Sequence, residues 1–118
     1  MHHFHFHHGV LYAEDIPVPE LVAQYGTPLY VYSASTWIRH YQAMDSAFAH
    51  VPHLTCYSVK ANSNMAILHL LAQMGAGVDI VSGGELFRAL RAGVPAERIV
   101  YSGVRKKRHE IHEALLAG

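Results

Sequence analysis

One lysine at the end of an apolar run is the residue whose chemistry stands out in this sequence. Lys60 follows residues 54–59, a run whose composition predicts a strand. Sites in α/β proteins are built at the carboxyl ends of strands, where a desolvated lysine loses its proton and attacks a carbonyl to form a Schiff base. From position alone, a solvated lysine at a strand end is the alternative interpretation.

Two of the carboxylates that follow Lys60 along the chain are candidate site residues. Asp79 lies inside the otherwise apolar run 77–81, and a carboxylate buried within a strand needs a cation or hydrogen-bond donors. We therefore expect Lys60, in the neighbouring strand, to be its partner. Glu85 follows the turn at residues 82–84, whose free amides are suited to an anion. Glu85 is equally suited to favour the dipole of a helix that begins there.

The histidines near the start of the chain and the single cysteine are weaker candidates for a functional site. Five histidines crowd positions 2–8 and would suit a transition metal, but they alternate with Phe4 and Phe6. We interpret this segment as a strand with outward histidines and expect no metal site. Cys56 is the single cysteine and cannot form an internal disulfide, which indicates a reducing, cytoplasmic setting.

Composition and charge exclude several classes of partner. The chain has 118 residues, with nine Lys and Arg against nine Asp and Glu and 51% hydrophobic residues, which is typical of a soluble domain. A net charge of zero argues against nucleic acid or an anionic membrane as a partner. The basic residues 105–108 contain no aromatic residue and predict a solvated helix start. No apolar run approaches the roughly 18 residues of a membrane-spanning helix.

Three strand-then-helix units must position these groups. We predict strands at 54–59, 77–81 and 99–101, and helices that start after Ser63 or Asn64, at Gly83–Gly84, and at Lys107. Strand ends recur about every 20 residues, the spacing of right-handed βα units around a parallel sheet. The predicted fold class is α/β, a partial (β/α)8 barrel of about three βα units. A complete barrel needs about 200 residues or more, so we expect a fragment.

A doubly wound three-strand domain is the alternative fold. The first βα turn, residues 60–64, contains no glycine, which excludes the dinucleotide-binding and P-loop motifs. Upstream, we predict a short helix that ends at Gly26, a strand at 29–32, and a helix capped by Ser35. The predicted inward side chains of the helices are Trp37, Tyr41, Met44 and Phe48; Ile67, Leu70, Leu71 and Met74; Leu86, Phe87 and Leu90; and Ile111 and Leu115.

Four segments together resemble a known family. Residues 57–64, 75–86 and 92–104, with 25–32 upstream, resemble the diaminopimelate decarboxylases. These enzymes are one branch of the pyridoxal-phosphate barrel enzymes, which also include alanine racemase and the ornithine and arginine decarboxylases. A strand-end Val-Lys is shared by the whole group, whereas the Ala-Asn-Ser-Asn continuation and the Ser-Gly-Gly-Glu-Leu turn point to the diaminopimelate branch.

The resemblance implies a site and a reaction. Lys60 would hold pyridoxal 5'-phosphate as an internal aldimine at the mouth of the barrel, while Asp79 and, less directly, Glu85 would position or charge-balance that lysine. The reaction would be decarboxylation of meso-2,6-diaminopimelate to L-lysine and CO2, the last step of lysine biosynthesis. The alternatives are an ornithine or arginine type of decarboxylase and a non-catalytic truncated chain.

The resemblance also implies how the chain is organised. Residues 1–28 would belong to a β-rich second domain, and residues 29–118 would form the first part of the pyridoxal-phosphate barrel. The full-length enzyme would be a homodimer with a small amino-acid substrate. The family's phosphate-binding and substrate-binding residues would lie beyond Gly118, so the 118 residues alone should be inactive. Arg105 and Lys107 stand where the family usually has Gly and Thr.

Overall fold

The computed structural model describes residues 2–118 of the chain. These residues form two compact units, residues 2–40 and 41–118, and the division falls inside one helix, α2 (Ala34–Ala47). The domain boundary predicted after residue 28 stays a prediction.

The first unit is built on an antiparallel three-stranded sheet with strand order β1-β2-β3. Its strands are β1 (Phe4–His7), β2 (Val10–Ala13) and β3 (Ile16–Pro17). Strands β1 and β2 are joined by His8 and Gly9, which both have positive φ, as a tight two-residue hairpin turn requires. The predicted N-terminal strand is confirmed. The short helix is confirmed as well, because α1 (Val18–Tyr25) ends at Gly26.

A buried serine starts helix α2, and it is not the serine predicted from the sequence. Ser33 is 3% exposed, and its Oγ accepts a hydrogen bond from the Thr36 backbone N–H at 3.0 Å. The predicted cap, Ser35, instead donates its backbone N–H to the Glu14 carboxylate at 2.8 Å. Glu14 also accepts a hydrogen bond from the Ser33 hydroxyl at 2.6 Å, and these bonds lower the pKa of its carboxyl group. Glu14 therefore fixes both serines.

The strand predicted at residues 29–32 is wrong. Within residues 2–118 the segment joins neither sheet. An aromatic and β-branched run favours a strand only where another strand supplies the hydrogen-bond ladder. The predicted buried stripe on α2 is also wrong in part, because Met44 and Phe48 are 55% and 44% exposed while Trp37 and Tyr41 are half-buried.

The second unit contains a parallel three-stranded sheet with strand order β4-β5-β6. A helix follows each strand. The elements are β4 (Cys56–Ser58), α3 (Met65–Gln73), β5 (Gly77–Ile80), α4 (Gly83–Arg91), β6 (Ile99–Tyr101) and α5 (Arg108–Ala117). The α/β class and the three βα units are therefore confirmed. No helix in the described part of the chain is long and apolar enough to cross a membrane.

The core of this unit lies between the sheet and its helices. Val78 and Ile80 of β5 are fully buried, and so is Leu68 of α3. Their neighbours in the cluster are Val59, Leu86, Ala89, Ala92 and Val94. Ile67, Leu71 and Leu86 are buried as predicted, whereas Leu70 and Met74 are half-buried.

Four further side chains predicted to point inward, on α4 and α5, are exposed. Phe87 is 64% exposed and Leu90 38%, while Ile111 and Leu115 of α5 are 43% and 76% exposed. Besides the predicted Leu86, helix α4 buries Ala89, and the two are spaced by three residues on one face. Apolar spacing identified the helix correctly but chose a wider face than the one that packs.

The two sides of the parallel sheet differ sharply. Register pairs and strand alternation place Tyr57, Val78, Ile80, Ile99 and Tyr101 on the side that carries the helices. We call the opposite side the open face, and it consists of Cys56, Ser58, Gly77, Asp79 and Val100. Val100 is 48% exposed there. A Cβ at Gly77 would lie 2.7 Å from Cys56 Sγ, so only glycine fits at that position.

Candidate functional site

Lys60 lies just beyond the end of the first parallel strand. Strand β4 ends at Ser58, and Val59–Ala61 form a single 3₁₀ turn. Val59 is fully buried in the core while Lys60 is exposed. The strand predicted at 54–59 is therefore one residue too long at this end and two residues too long at its start, and strand alternation does not extend to Lys60. The lysine projects from a turn anchored by its buried neighbour.

Three hydrogen bonds hold the segment after Lys60. The Tyr57 hydroxyl donates to the Asn62 carbonyl oxygen at 3.0 Å, and the Asn62 side chain accepts the Asn64 backbone N–H at 3.0 Å. From helix α4, Arg88 Nη1 donates to the Ser63 carbonyl oxygen at 3.2 Å. Asn64 caps α3 by accepting the Ala66 N–H at 2.9 Å, which confirms one of the two predicted caps.

Asp79 lies on the open face opposite a serine. In the parallel register Asp79 is paired with Ser58, two residues before Lys60. Asp79 Oδ1 and Ser58 Oγ are both buried and have no hydrogen-bond partner among the described residues. No ion pair joins Asp79 to Lys60 within residues 2–118. The predicted direct pairing is absent, because the turn begins before the strand reaches Lys60.

The charge of Asp79 acts on the neighbouring thiol. Burial raises the pKa of Cys56, and the nearby negative charge of Asp79 raises it further. Cys56 precedes Ser58 on the same face, so the open face presents a thiol, a hydroxyl and a carboxylate side by side. The described residues contain no group of three or more His, Cys, Asp or Glu residues that would hold a metal ion.

Glu85 forms hydrogen bonds just beyond the end of strand β5. Its Oε2 accepts the Val81 backbone N–H at 2.8 Å, and its own N–H donates to Ser82 Oγ at 3.3 Å. These reciprocal bonds resemble a capping box displaced by one residue. Glu85 thus occupies the helix-start position considered in the sequence analysis, and its carboxylate fixes the turn that follows Asp79.

The turn at Gly83 and Gly84 already holds an anionic group of this chain. Glu110 Oε1 accepts the Gly83 N–H at 2.9 Å, and Glu110 Oε2 accepts the Lys107 N–H at 2.8 Å. These two bonds, the Gly83 bond first, lower the pKa of Glu110. The proposed seat for an external anion is filled by Glu110, which links α5 to the start of α4. Sequence reasoning missed this residue, although Glu110 stands three positions after Lys107, as in a capping box.

Known proteins resemble this chain over most of its length. The family model described as "Pyridoxal-dependent decarboxylase, pyridoxal binding domain" matches residues 34–118. The chain belongs to this family. The resemblance and the cofactor expected from it, pyridoxal phosphate, are confirmed at the level of the family.

Two diaminopimelate decarboxylases are similar to this chain over nearly its whole length. A diaminopimelate decarboxylase of Haemophilus influenzae is 54% identical over 115 residues, which cover 98% of this chain and 28% of that protein. The crystal structure of diaminopimelate decarboxylase from M. jannaschii in complex with L-lysine has a TM-score of 0.93 and 35% identity. That match covers 97% of this chain and 28% of the solved one.

A decarboxylase that is named for different substrates is less similar to this chain. A lysine/ornithine decarboxylase from Vibrio vulnificus, solved with cadaverine, has a TM-score of 0.78 and 26% identity. The match covers 86% of this chain and 27% of that one. The chain thus spans between a quarter and a third of the length of these relatives.

The residues present fit the reactive end of a pyridoxal group. Such a cofactor needs an amine for its carbonyl carbon and a carboxylate for charge balance. Lys60 supplies the amine at the carboxyl end of β4. Asp79 supplies a carboxylate whose buried Oδ1 lacks a partner on the open face, and Ser58 adds an unpaired hydroxyl beside it. An orphaned buried polar atom is unfavourable unless a further group satisfies it.

Proposed function

We propose that the protein decarboxylates meso-2,6-diaminopimelate to L-lysine and CO2, with Lys60 as the residue that holds pyridoxal phosphate. The observation that carries this proposal is the turn at residues 59–61, which carries Lys60 just beyond the end of β4, the strand whose Ser58 is paired in register with Asp79. The similarity to diaminopimelate decarboxylases supports the choice of substrate, since that likeness exceeds the likeness to the lysine/ornithine enzyme.

Lys60 would act through its side-chain amine. Bound at Lys60, pyridoxal phosphate supplies an electron sink for the pair left when the substrate carboxylate departs. Lys60 Nζ is the group that would hold the carbonyl carbon of the cofactor. The buried neighbour Val59 keeps the lysine backbone in place, so Nζ would remain close enough to hold a proton beside the reacting carbon.

Asp79 would act through charge. Its carboxylate lies one strand away from β4 and has an oxygen without a hydrogen-bond donor. A buried carboxylate in this state favours a cationic group in front of the open face. We infer that Asp79 balances the positive charge of the cofactor or of Lys60.

Glu85 would act indirectly. Because its carboxylate accepts the Val81 N–H, it fixes the end of the strand that carries Asp79. Its role at the site would be to position Asp79 and not to touch the cofactor.

The domain organisation, assembly and location of the protein belong to the same proposal. Residues 1–28 would contribute to a β-rich domain and residues 29–118 to the barrel, in a cytoplasmic homodimer that binds an amino acid. The single cysteine supports the reducing compartment. Size-exclusion chromatography with light scattering on the protein expressed from its own gene tests the dimer, and a monomer would contradict it.

A substrate panel tests the proposed activity. The protein expressed from its own gene is incubated with pyridoxal phosphate and either meso-diaminopimelate, ornithine or arginine, and CO2 release is measured. We expect CO2 and L-lysine from diaminopimelate alone, and loss of the activity to background in Lys60→Ala. Lys107→Ala, an equally exposed lysine, is the matched control. Release from ornithine or arginine would favour the other decarboxylase type, and no release from any substrate would favour a non-catalytic chain.

A further inference from the structure

The hydroxyl of Tyr57 closes the turn that carries Lys60. Tyr57 lies on the helix side of β4, where its ring packs against the buried core. Its hydroxyl reaches past the end of the strand and donates to the Asn62 carbonyl oxygen at 3.0 Å. The bond thus spans the 3₁₀ turn at 59–61, which contains Lys60.

The turn is therefore held at both of its ends. At its start, Val59 is fully buried. At its end, the Asn62 carbonyl is held by Tyr57, and between the two lie only Lys60 and Ala61. A lysine side chain is long and flexible, so the direction in which its amine points is set first by the backbone that bears it. A backbone fixed on both sides reduces the conformational freedom lost when the amine binds its partner.

We propose that Tyr57 is a positioning residue for Lys60, an inference that rests on the proposed function of Lys60. Tyr57 lies on the helix side of the sheet and not on the open face. Its hydroxyl fixes the turn that carries Lys60, just beyond the end of β4. The second tether, from the exposed Arg88 to the Ser63 carbonyl, lies farther from the lysine and is longer, at 3.2 Å. Tyr57 is therefore the stronger constraint.

The test uses two tyrosine variants that each lose one hydroxyl. Tyr57→Phe keeps the ring and its packing but removes the bond to Asn62. Tyr101→Phe is the matched control, because Tyr101 lies on the same side of the sheet and its buried hydroxyl has no hydrogen-bond partner in the described residues. Both are made in the protein expressed from its own gene. The first readout is hydrogen–deuterium exchange of the backbone amides of residues 60–63.

The second readout is the trapping of pyridoxal phosphate. Borohydride fixes the cofactor on reactive lysines, and peptide mass spectrometry gives the amount on Lys60 relative to Lys107. We expect Tyr57→Phe to accelerate exchange at residues 60–63 several-fold and to lower the Lys60-to-Lys107 ratio several-fold. Tyr101→Phe should leave both readouts at the parent level. A purely structural role for Tyr57 would lower stability without changing the trapping ratio.

The outcomes separate this inference from the proposed function. If the unaltered protein traps no more cofactor on Lys60 than on Lys107, the proposed function fails, and the exchange data alone decide whether Tyr57 fixes the turn. Unchanged exchange in Tyr57→Phe overturns the positioning role, even when Lys60 is the trapped lysine. Equal changes in both tyrosine variants overturn it as well, because either hydroxyl would then have the same effect.

Discussion

The two sides of the parallel sheet carry different kinds of residue on the same short strands. The helix side of β5 presents Val78 and Ile80, both fully buried. The open face of that strand presents Gly77 and Asp79, and Asp79 has an oxygen without a partner. Alternation along one strand thus separates side chains that stabilise the fold from side chains suited to chemistry. A substitution on the helix side should therefore change stability, and one on the open face should change binding.

The largest expected effect lies on the helix side. Leu68→Ala should lower the free energy of unfolding by about 2–5 kcal/mol, because it leaves a cavity in a fully buried position. Leu115→Ala makes the same chemical change at a side chain that is 76% exposed, and it should stay within about 0.5 kcal/mol of the parent. Urea unfolding of the protein expressed from its own gene measures both. Equal losses in the two variants would show that burial in the core on the helix side does not decide stability.

An intermediate effect is expected on the open face. Asp79→Asn should leave the free energy of unfolding within about 0.5 kcal/mol of the parent or raise it, because no hydrogen bond to Oδ1 is lost. Retention of pyridoxal phosphate should weaken roughly tenfold, the factor that corresponds to about 1.4 kcal/mol. Equilibrium dialysis measures retention, with the exposed Asp15→Asn as control. Large destabilisation with normal retention would make Asp79 a structural carboxylate.

The smallest effect concerns the link between α5 and α4. Hydrogen bonds from Gly83 and Lys107 lower the pKa of Glu110 below its ordinary value of 4.5. Its contribution to stability is therefore present above pH 4.5 and is lost as the pH falls through the lowered pKa. Glu110→Gln should flatten the loss of stability on the acid side, and unfolding measured across that pH range checks it. An unchanged acid slope in Glu110→Gln would show that the link contributes nothing.

The sequence predicts the repeating part of this fold well. The three βα units, the Asn64 cap and the strand around Asp79 follow from apolar spacing and from residues with clear local preferences. The sequence predicts less well which side chains of the helices face the core. Phe87 and Leu115 are exposed although they belong to apolar stripes, because spacing identifies a stripe but not the surface that covers it. Ala89 was missed since a small residue contributes little to such a stripe, yet it is fully buried.

The candidate site is predicted in its residue types but not in its contacts. Lys60 and Asp79 stand near neighbouring strand ends, as expected, but the strand stops at Ser58 and the turn carries Lys60 away from the register. Single-sequence patterns do not define strand ends to within two residues. The bond from Tyr57 to Asn62 joins a side chain to a backbone carbonyl five residues away, and nothing in apolar spacing indicates it.

The central claim is that Lys60 is the lysine that holds the cofactor, and borohydride trapping tests it most directly. The protein expressed from its own gene contains Lys60, Lys106 and Lys107 within the sequence described here, so two lysines serve as internal references. After incubation with pyridoxal phosphate and reduction, peptide mass spectrometry locates the phosphopyridoxyl group. We expect Lys60 to carry most of the phosphopyridoxyl label. Labelling spread evenly over Lys60, Lys106 and Lys107 would contradict the account.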